Sequence, residues 1–177
     1  LAQRLAHDLL DLFEDPAAGA FFTTTESPEL ILRIKDDYDG AEPAGNSAAI
    51  AALLTLHQFT QDERFREAAE RALRAFTPRL LQAPITIPQM LCALLAARTP
   101  HRQIVLAGPL APDFLRAIRS RFSPFEIVLR PDPALAAGNP ALATMAPVND
   151  QPTAYVCQNF TCQLPVTESS QLELLLR

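Results

Sequence analysis

A mainly helical protein with a small α/β part is the fold class that this sequence predicts. Apolar residues recur at helical spacing through most of residues 1–98. From residue 99 onward, short aliphatic runs flank an amphipathic segment, which is typical of a strand–helix–strand unit. The 177 residues are enough for one large domain or two small ones. We therefore expect helical hairpins over residues 1–98 and a small α/β subdomain over residues 99–177.

The first elements predicted are a helix and a pair of short β-prone runs. Leucines repeat at helical spacing through residues 1–14. Asp15-Pro16 ends this helix, because the residue before a proline disfavours the α region. The runs 19–25 and 30–34, separated by Ser27-Pro28, predict a hairpin-like pair.

Three further helices are predicted to alternate between inner and outer positions. Residues 46–59 are apolar on nearly every face, which is typical of a helix buried on most sides. Thr60 and Glu63 match a capping box that opens a half-exposed helix with one apolar stripe. Pro88 opens another mostly apolar helix that extends to Arg98.

The C-terminal segment predicts a right-handed parallel βαβ unit, a third strand and a last helix. Pro, Gly and Asn residues make residues 132–150 a long loop. The predicted strands are residues 103–107, 125–129 and 153–157, and the predicted helices are residues 112–122 and 171–177.

Composition and charge argue against several classes of protein. The net charge is −5 and the cations are dispersed, whereas nucleic-acid binding needs clustered cations. No apolar run reaches the roughly 18 residues of a membrane span, and no secretory signal is visible. Three cysteines are too few for a disulfide-rich scaffold, so a reducing, cytoplasmic environment is expected. Because Leu1 already lies in a helical pattern, we expect a fragment of a longer chain.

An acidic loop precedes the inner helix and is the candidate ligand site. Paired carboxylates can act as general acid and base on a glycosidic bond. Acidic residues in front of a helix also stabilise its N-terminus, and an asparagine there can serve only as a cap. Both interpretations stay open. The candidate acid/base residues are Asp39 and Glu42, the candidate positioning residues are Tyr38 and Asn46, and Asp36 and Asp37 complete the loop.

A cysteine pair near the C-terminus is the second candidate. If Cys157 and Cys162 flank a four-residue hairpin loop, their opposed Cα atoms lie about 4.5 to 5.5 Å apart, which is within disulfide reach. Three interpretations remain open: packed reduced thiols, a disulfide or redox pair, and half of a zinc site that lacks two ligands. Cys92 lies in an apolar helix and is expected in the core.

No cofactor or metal site is predicted. His7, His57 and His101 are scattered and match no catalytic or metal-binding motif. The loop at Gly108-Pro109 follows a strand and precedes a helix, but one glycine beside a proline is not a dinucleotide-binding motif.

Three segments resemble a known family. They are a glycine-aromatic turn at residues 19–24, the loop at residues 38–47, and the signature formed by residues 154–157 and 162–167. Together they resemble the spermatogenesis-associated, thioredoxin-domain-containing family, and the match covers nearly the whole chain. Ala44 departs from the pattern, because the family usually has serine there.

The resemblance implies a larger architecture. Family members are expected to carry an N-terminal thioredoxin-like domain and an (α/α)6 toroid similar to six-hairpin glycosidases and N-acylglucosamine 2-epimerases. This chain would supply the last hairpins of the toroid and the α/β tail. Loops ahead of inner helices line the cavity of such toroids, so the loop at residues 38–47 would contact a sugar or sugar-like ligand.

Two functional hypotheses follow. One is a carbohydrate-related site in the toroid cavity, and the other is a non-catalytic scaffold whose α/β tail docks a redox domain. The expected partners are the remainder of the chain and a sugar-like ligand, with no nucleic acid and no membrane. Because two or three hairpins cannot close a toroid, the isolated chain is expected to be inactive or to self-associate.

Overall fold

The computed structural model describes all 177 residues and divides them into two compact units, Leu1–Thr99 and Pro100–Arg177. The first unit consists of helices and loops, and the second contains a four-stranded mixed sheet with helices. Each unit has its own cluster of buried apolar side chains. A mainly helical chain with a small α/β part is therefore confirmed.

The helical unit contains five helices and one short 3₁₀ turn. The predicted helices are present, and a short helix before the 3₁₀ turn is one that the sequence analysis missed. The elements are α1 (Ala2–Phe13), α2 (Gly45–Thr60), α3 (Glu63–Ala75), α4 (Thr77–Gln82), a 3₁₀ turn (Pro84–Thr86) and α5 (Pro88–Arg98).

Helix α2 is the central element of this unit and packs against both α3 and α5. Its side chains Ile50 and Leu53 are fully buried, as is Phe65 of α3. Helix α3 presents buried alanines to the same core, so the two helices can approach closely. Helix α3 is half-exposed, with its charged residues paired along the outer face.

The hairpin-like pair predicted at residues 19–25 and 30–34 is wrong. Neither run forms a strand, and only an isolated bridge joins Glu14 to Phe21. One backbone hydrogen bond links Thr23 N–H to the Ile34 carbonyl at 2.9 Å. Side chains bind both backbone groups of Phe21 and the carbonyl of Thr24, so these groups are satisfied without a strand partner.

The cap of helix α3 also differs from the prediction. Asp62, not Thr60, is the N-cap, and its Oδ1 accepts from Arg64 N–H at 3.1 Å. The Arg64 guanidinium lowers the pKa of Asp62 by bonding the same carboxylate. Thr60 instead ends α2, where its hydroxyl donates to the Leu56 carbonyl. Both residue types are good caps, so the two-residue shift could not be resolved from the pattern.

Cys92 is exposed rather than in the core, which corrects the expectation from the sequence. Only Met90 and Ala93 of helix α5 are buried, because a single face of the helix meets α2. Apolar residues surround α5 on all sides, so its sequence does not indicate which face is buried.

The second unit forms a mixed sheet with strand order β2-β1-β3-β4. Strand β1 pairs in parallel with β2 through a crossover helix, which confirms the βαβ unit, and it pairs antiparallel with β3 on its other side. The predicted long loop contains short helical turns. The elements are β1 (Arg102–Ala107), α6 (Pro112–Arg119), β2 (Glu126–Leu129), α7 (Pro133–Ala136), β3 (Thr153–Gln158), β4 (Thr161–Cys162) and α8 (Ser169–Leu175).

A nearly buried carboxylate ties the start of β2 to its surroundings. The side chain of Glu126 is 6% exposed and accepts from the guanidinium of Arg121 and, at 3.3 Å, from that of Arg102. Arg102 also donates to the Leu176 carbonyl at the end of α8. This cluster therefore connects the two parallel strands with the C-terminal helix.

None of the eight α-helices combines the length and the apolar composition that a bilayer crossing requires.

Candidate functional sites in the acidic loop, the cystine hairpin and the C-terminal cleft

Asp39 accepts three backbone hydrogen bonds. Its Oδ1 accepts from Ala44 N–H at 2.7 Å, and its Oδ2 accepts from Gln89 N–H at 2.8 Å and Met90 N–H at 3.2 Å. The residue that flanks α5, Ile87, has no side-chain group that could bind those amides. Asp39 therefore caps α5 from a distant part of the chain, where its negative charge also suits the positive end of the helix dipole.

Asn46 is 2% exposed, and its side chain holds the glycine-aromatic turn through hydrogen bonds. Its Oδ1 accepts from Phe21 N–H at 2.8 Å, and its Nδ2 donates to the Phe21 carbonyl at 2.9 Å. Nδ2 also donates to the Asp36 carbonyl at 3.2 Å. The Asn46 side chain thus bonds both backbone groups of Phe21, as a neighbouring strand would. Its oxygen and its nitrogen both bind groups of the protein itself.

The other two predicted site residues project outward. Tyr38 is 58% exposed, and Glu42 is exposed as well. The acid/base role of Asp39 and Glu42 stays a prediction. The contacts of Asp39 and Asn46 favour the structural interpretation of the loop.

The turn that precedes this loop is held by a second carboxylate. Asp15 accepts from two backbone N–H groups of the following turn through Oδ1, and from the Lys35 ammonium through Oδ2 at 2.8 Å. The Lys35 ammonium and these amides lower the pKa of Asp15 from 3.8 to about 2. Gly19 has a positive φ of 75°, and a Cβ there would lie 2.8 Å from the Arg71 carbonyl oxygen. Only glycine fits this position.

Cys157 and Cys162 face each other across strands β3 and β4 and form a disulfide with Sγ atoms 2.01 Å apart. The adjacent pair is hydrogen-bonded, because Gln163 N–H donates to the Val156 carbonyl at 3.0 Å. The cysteines therefore occupy a non-hydrogen-bonded pair, where opposed side chains come closest. Among the three interpretations left open by the sequence, the structure has the disulfide.

The predicted four-residue loop between the cysteines is wrong. Gln158 and Thr161 pair with each other, so the turn has two residues, Asn159 and Phe160, with φ values of 47° and 65°. Two positive φ values match the type I′ turn that suits a twisted hairpin. Asn159 and His101 exchange two hydrogen bonds, at 2.9 and 3.2 Å, which pin the turn to the residue before β1.

The two cysteines differ in exposure. Cys157 is 4% exposed, whereas Cys162 on the edge strand is exposed. An incoming thiolate therefore meets Cys162 first. Cys92, the third cysteine, is a free thiol on helix α5.

A cleft of about 600 Å³ lies in the C-terminal unit, where the parallel strands β1 and β2 end. Its walls come from the segments that follow β1 and β2 and from the turns before β3. Gly108, directly after β1, has a φ of 81°, and a Cβ there would lie 2.9 Å from Cβ of Pro147. In the sequence this glycine forms only a poor nucleotide-binding motif, and no pattern there predicts the cleft.

The histidines and acidic residues form no metal site. No group of three or more His, Cys, Asp or Glu side chains is placed to hold an ion. The ring of buried His57 donates through Nδ1 to the Asp62 carbonyl at 3.2 Å, and the ring of His7 lies 5.0 Å from that of Phe65. Both rings therefore contribute to packing and helix termination.

Comparisons with known proteins extend these observations. No family model matches the chain. It is 34% identical to spermatogenesis-associated protein 20 of Mus musculus and 35% identical to that of Homo sapiens, in each case over 99% of this chain. An uncharacterised protein of Caenorhabditis elegans is 31% identical over 89% of the chain.

The chain spans about a quarter of the length of these curated relatives, since it covers 23%, 24% and 22% of them. Proteins named spermatogenesis-associated protein 20 thus match almost the whole of this chain and support the family that its turn, its acidic loop and its cysteine signature resemble.

Proposed function

We propose that this chain is a non-catalytic interaction module of a longer protein, with a disulfide that responds to dithiol reductants. The observation that carries the proposal is the Cys157–Cys162 disulfide, whose second cysteine is exposed on an edge strand. The carboxylate and the amide most suited to chemistry in the acidic loop, Asp39 and Asn46, bind backbone groups instead.

The chemistry is thiol–disulfide exchange. The thiolate of a dithiol protein attacks Sγ of Cys162, forms a mixed disulfide with it, and releases Cys157 as a thiolate that takes up a proton. The second thiol of the dithiol protein then attacks the mixed disulfide and releases Cys162. The module gains two electrons and two protons, and the dithiol protein is left as a disulfide. The thioredoxin-like domain implied by the family resemblance is a reductant of this class.

The other partner in the proposal is the remainder of a longer chain. Relatives of this chain are about four times as long (a ratio taken from the 23% and 24% coverage), and further helical hairpins would complete the toroid that the resemblance implies. Large apolar side chains on the helical unit support this partner, because exposed apolar patches mark interaction sites. The most exposed aliphatic ones are Leu1, Leu5, Leu12, Ile31, Leu32, Ile34, Leu81, Ile85 and Leu95.

Alkylation followed by mass spectrometry tests the redox part. After mild oxidation, we expect one alkylated cysteine, Cys92, and three after treatment with a reduced thioredoxin-type protein. Cys92 serves as the internal control for alkylation. Three alkylated cysteines after mild oxidation would contradict the proposal.

A trapping experiment tests the order of attack. In a Cys92→Ser background, a thioredoxin-type protein that lacks its resolving cysteine should accumulate as a mixed disulfide on Cys162. Conjugation at Cys157, or none at all, would contradict the proposed route.

The resemblance also implies a carbohydrate ligand beside the acidic loop. In that proposal, exposed Tyr38 and Glu42 contact the sugar, whereas Asp39 and Asn46 hold the loop in shape. Titration of the full-length protein with mono- and oligosaccharides tests it, with Tyr38→Ala as the variant that should lose affinity. Unchanged affinity in Tyr38→Ala would contradict this placement.

A further inference from the structure

We propose that the C-terminal cleft binds a small amphiphile with a carboxylate head and an apolar tail. The cleft lies outside the carboxyl ends of β1 and β2. In open α/β sheets, ligand-binding crevices lie outside the carboxyl ends of the parallel strands, and this cleft has the same position. A volume of about 600 Å³ is within the range of small-molecule sites.

The interior of the cleft is apolar. Leu106, Leu142 and Met145 are buried core side chains that also form its walls. No aromatic side chain lines it, so it offers no stacking surface for a nucleobase or a sugar ring. An aliphatic tail gains hydrophobic stabilisation in such a site, whereas a polyol would lose hydrogen bonds to water.

Prolines and capping side chains restrict the backbone around the cleft. Pro131, Pro133 and Pro147 all line it, and a proline has one fixed backbone dihedral. Asn139 and Asp132 each accept a backbone hydrogen bond from the helical turn that they begin, which fixes the segments around the mouth further. A preformed site loses little conformational entropy when it binds.

The guanidinium of Arg130 indicates which head group a ligand of the cleft would carry. Arg130 is the only cation that lines the cleft, and it makes one hydrogen bond, to the Gly108 carbonyl at 2.9 Å. The guanidinium of Arg130 pairs with no carboxylate, although Asp132, the only anion of the lining, leaves the lining formally neutral and caps the short helix α7. A carboxylate at the mouth can therefore pair with Arg130 while the tail enters the cleft.

Three probes with the same tail separate head-group binding from tail binding. Decanoate, decanol and decylammonium are titrated into the full chain below their micelle-forming concentrations, with calorimetry for affinity and amide chemical shifts for location. We expect decanoate to bind about threefold more tightly than decanol, and decylammonium to bind most weakly. The shifted amides should include Gly108, Ala136 and Ala143.

Variants assign the effect to residues. Arg130→Gln should weaken decanoate about threefold and leave decanol unchanged, whereas Ala143→Trp, an exposed lining position, should weaken both by filling the cleft. The matched control is Arg119→Gln, an exposed arginine on α6 that does not line the cleft, and it should change neither affinity.

Several outcomes would overturn the proposal. They are equal affinity for decanoate and decanol, equal effects of Arg130→Gln and Arg119→Gln, shifts that cluster in the helical unit, and the absence of binding by all three probes.

Discussion

At the scale of single residues, Asp39 and Asn46 show how groups typical of a ligand site can satisfy the backbone. Each binds amides or carbonyls far away in sequence, with separations of 50 and 25 residues. The sequence singled out this loop as a candidate ligand site, with capping as the alternative. The sequence could not decide between ligand binding and capping, because carboxylates and amides serve both purposes. The backbone N–H groups of α5 that Asp39 binds are present in almost every residue type, so no sequence pattern indicates them.

Asp39→Ala should destabilise the helical unit by about 2 kcal/mol, because two N–H groups of α5 and one at the start of α2 lose their acceptor. Asp39→Asn should cost about 1 kcal/mol, since one acceptor oxygen remains and the charge–dipole interaction is lost. Urea unfolding measures both, with exposed Glu42→Ala as the control expected within about 0.5 kcal/mol of the original chain. Equal effects at the two positions would show that Asp39 is not a cap.

The lowered pKa of Asp15 predicts a specific acid sensitivity. Because its pKa falls from 3.8 to about 2 on folding, its contribution is complete above about pH 5 and is lost as the pH falls toward 2. Asp15→Asn should therefore be less stable than the original chain at pH 6, and the difference should shrink through this window. Urea unfolding at several pH values measures it. Asp8→Asn, an exposed change on α1, should leave the fall with pH intact.

At the scale of elements, long periodic segments were predicted well and short ones were not. Helix α2 and the βαβ unit follow patterns that extend over many residues, whereas α4 and the helical turns at residues 133–150 occupy only a few residues each. The turn of the cystine hairpin is another short element that was not predicted correctly. This two-residue turn lacks the Asn-Gly signal, because Phe160 occupies the position that glycine usually takes, and a longer loop was predicted instead.

Glu126→Gln should destabilise the C-terminal unit by about 2 kcal/mol, because it leaves Arg102 and Arg121 without their shared, nearly buried counter-charge. Thermal or urea unfolding followed by a probe in this unit measures the effect. Glu173→Gln, an exposed change on α8, is the matched control and should be close to neutral. A neutral Glu126→Gln would mean that the cluster does not stabilise the sheet.

At the scale of the whole molecule, the division into a helical and an α/β unit accompanies a change of pattern in the sequence, from helical spacing to short apolar runs around an amphipathic segment. The sequence could not show how much apolar surface of the helical unit remains exposed. Helix α5 is apolar on every side, so its sequence does not indicate which side is buried. Cys92 was placed in the core for this reason, and it is exposed.

The uncovered apolar side chains predict that the isolated chain self-associates. Sedimentation at several protein concentrations should reveal species larger than a monomer, and the double change Leu81→Gln and Ile85→Gln should shift the equilibrium toward monomer. The control is Leu164→Gln, an equally exposed leucine in the other unit. A monomer at every concentration tested would contradict the prediction.

The hydrogen bonds from the amides of α5 to Asp39 have a consequence for how the sequence can change in evolution. An amide N–H is present at positions 89 and 90 whichever residue but proline stands there, so a substitution at either position leaves these hydrogen bonds possible. Within this contact only position 39 depends on its side chain, whereas Met90 is constrained separately by its burial in the core. Correlated substitutions reveal contacts between pairs of side chains. They would therefore not reveal the contact between Asp39 and the α5 backbone, although this contact joins segments 50 residues apart.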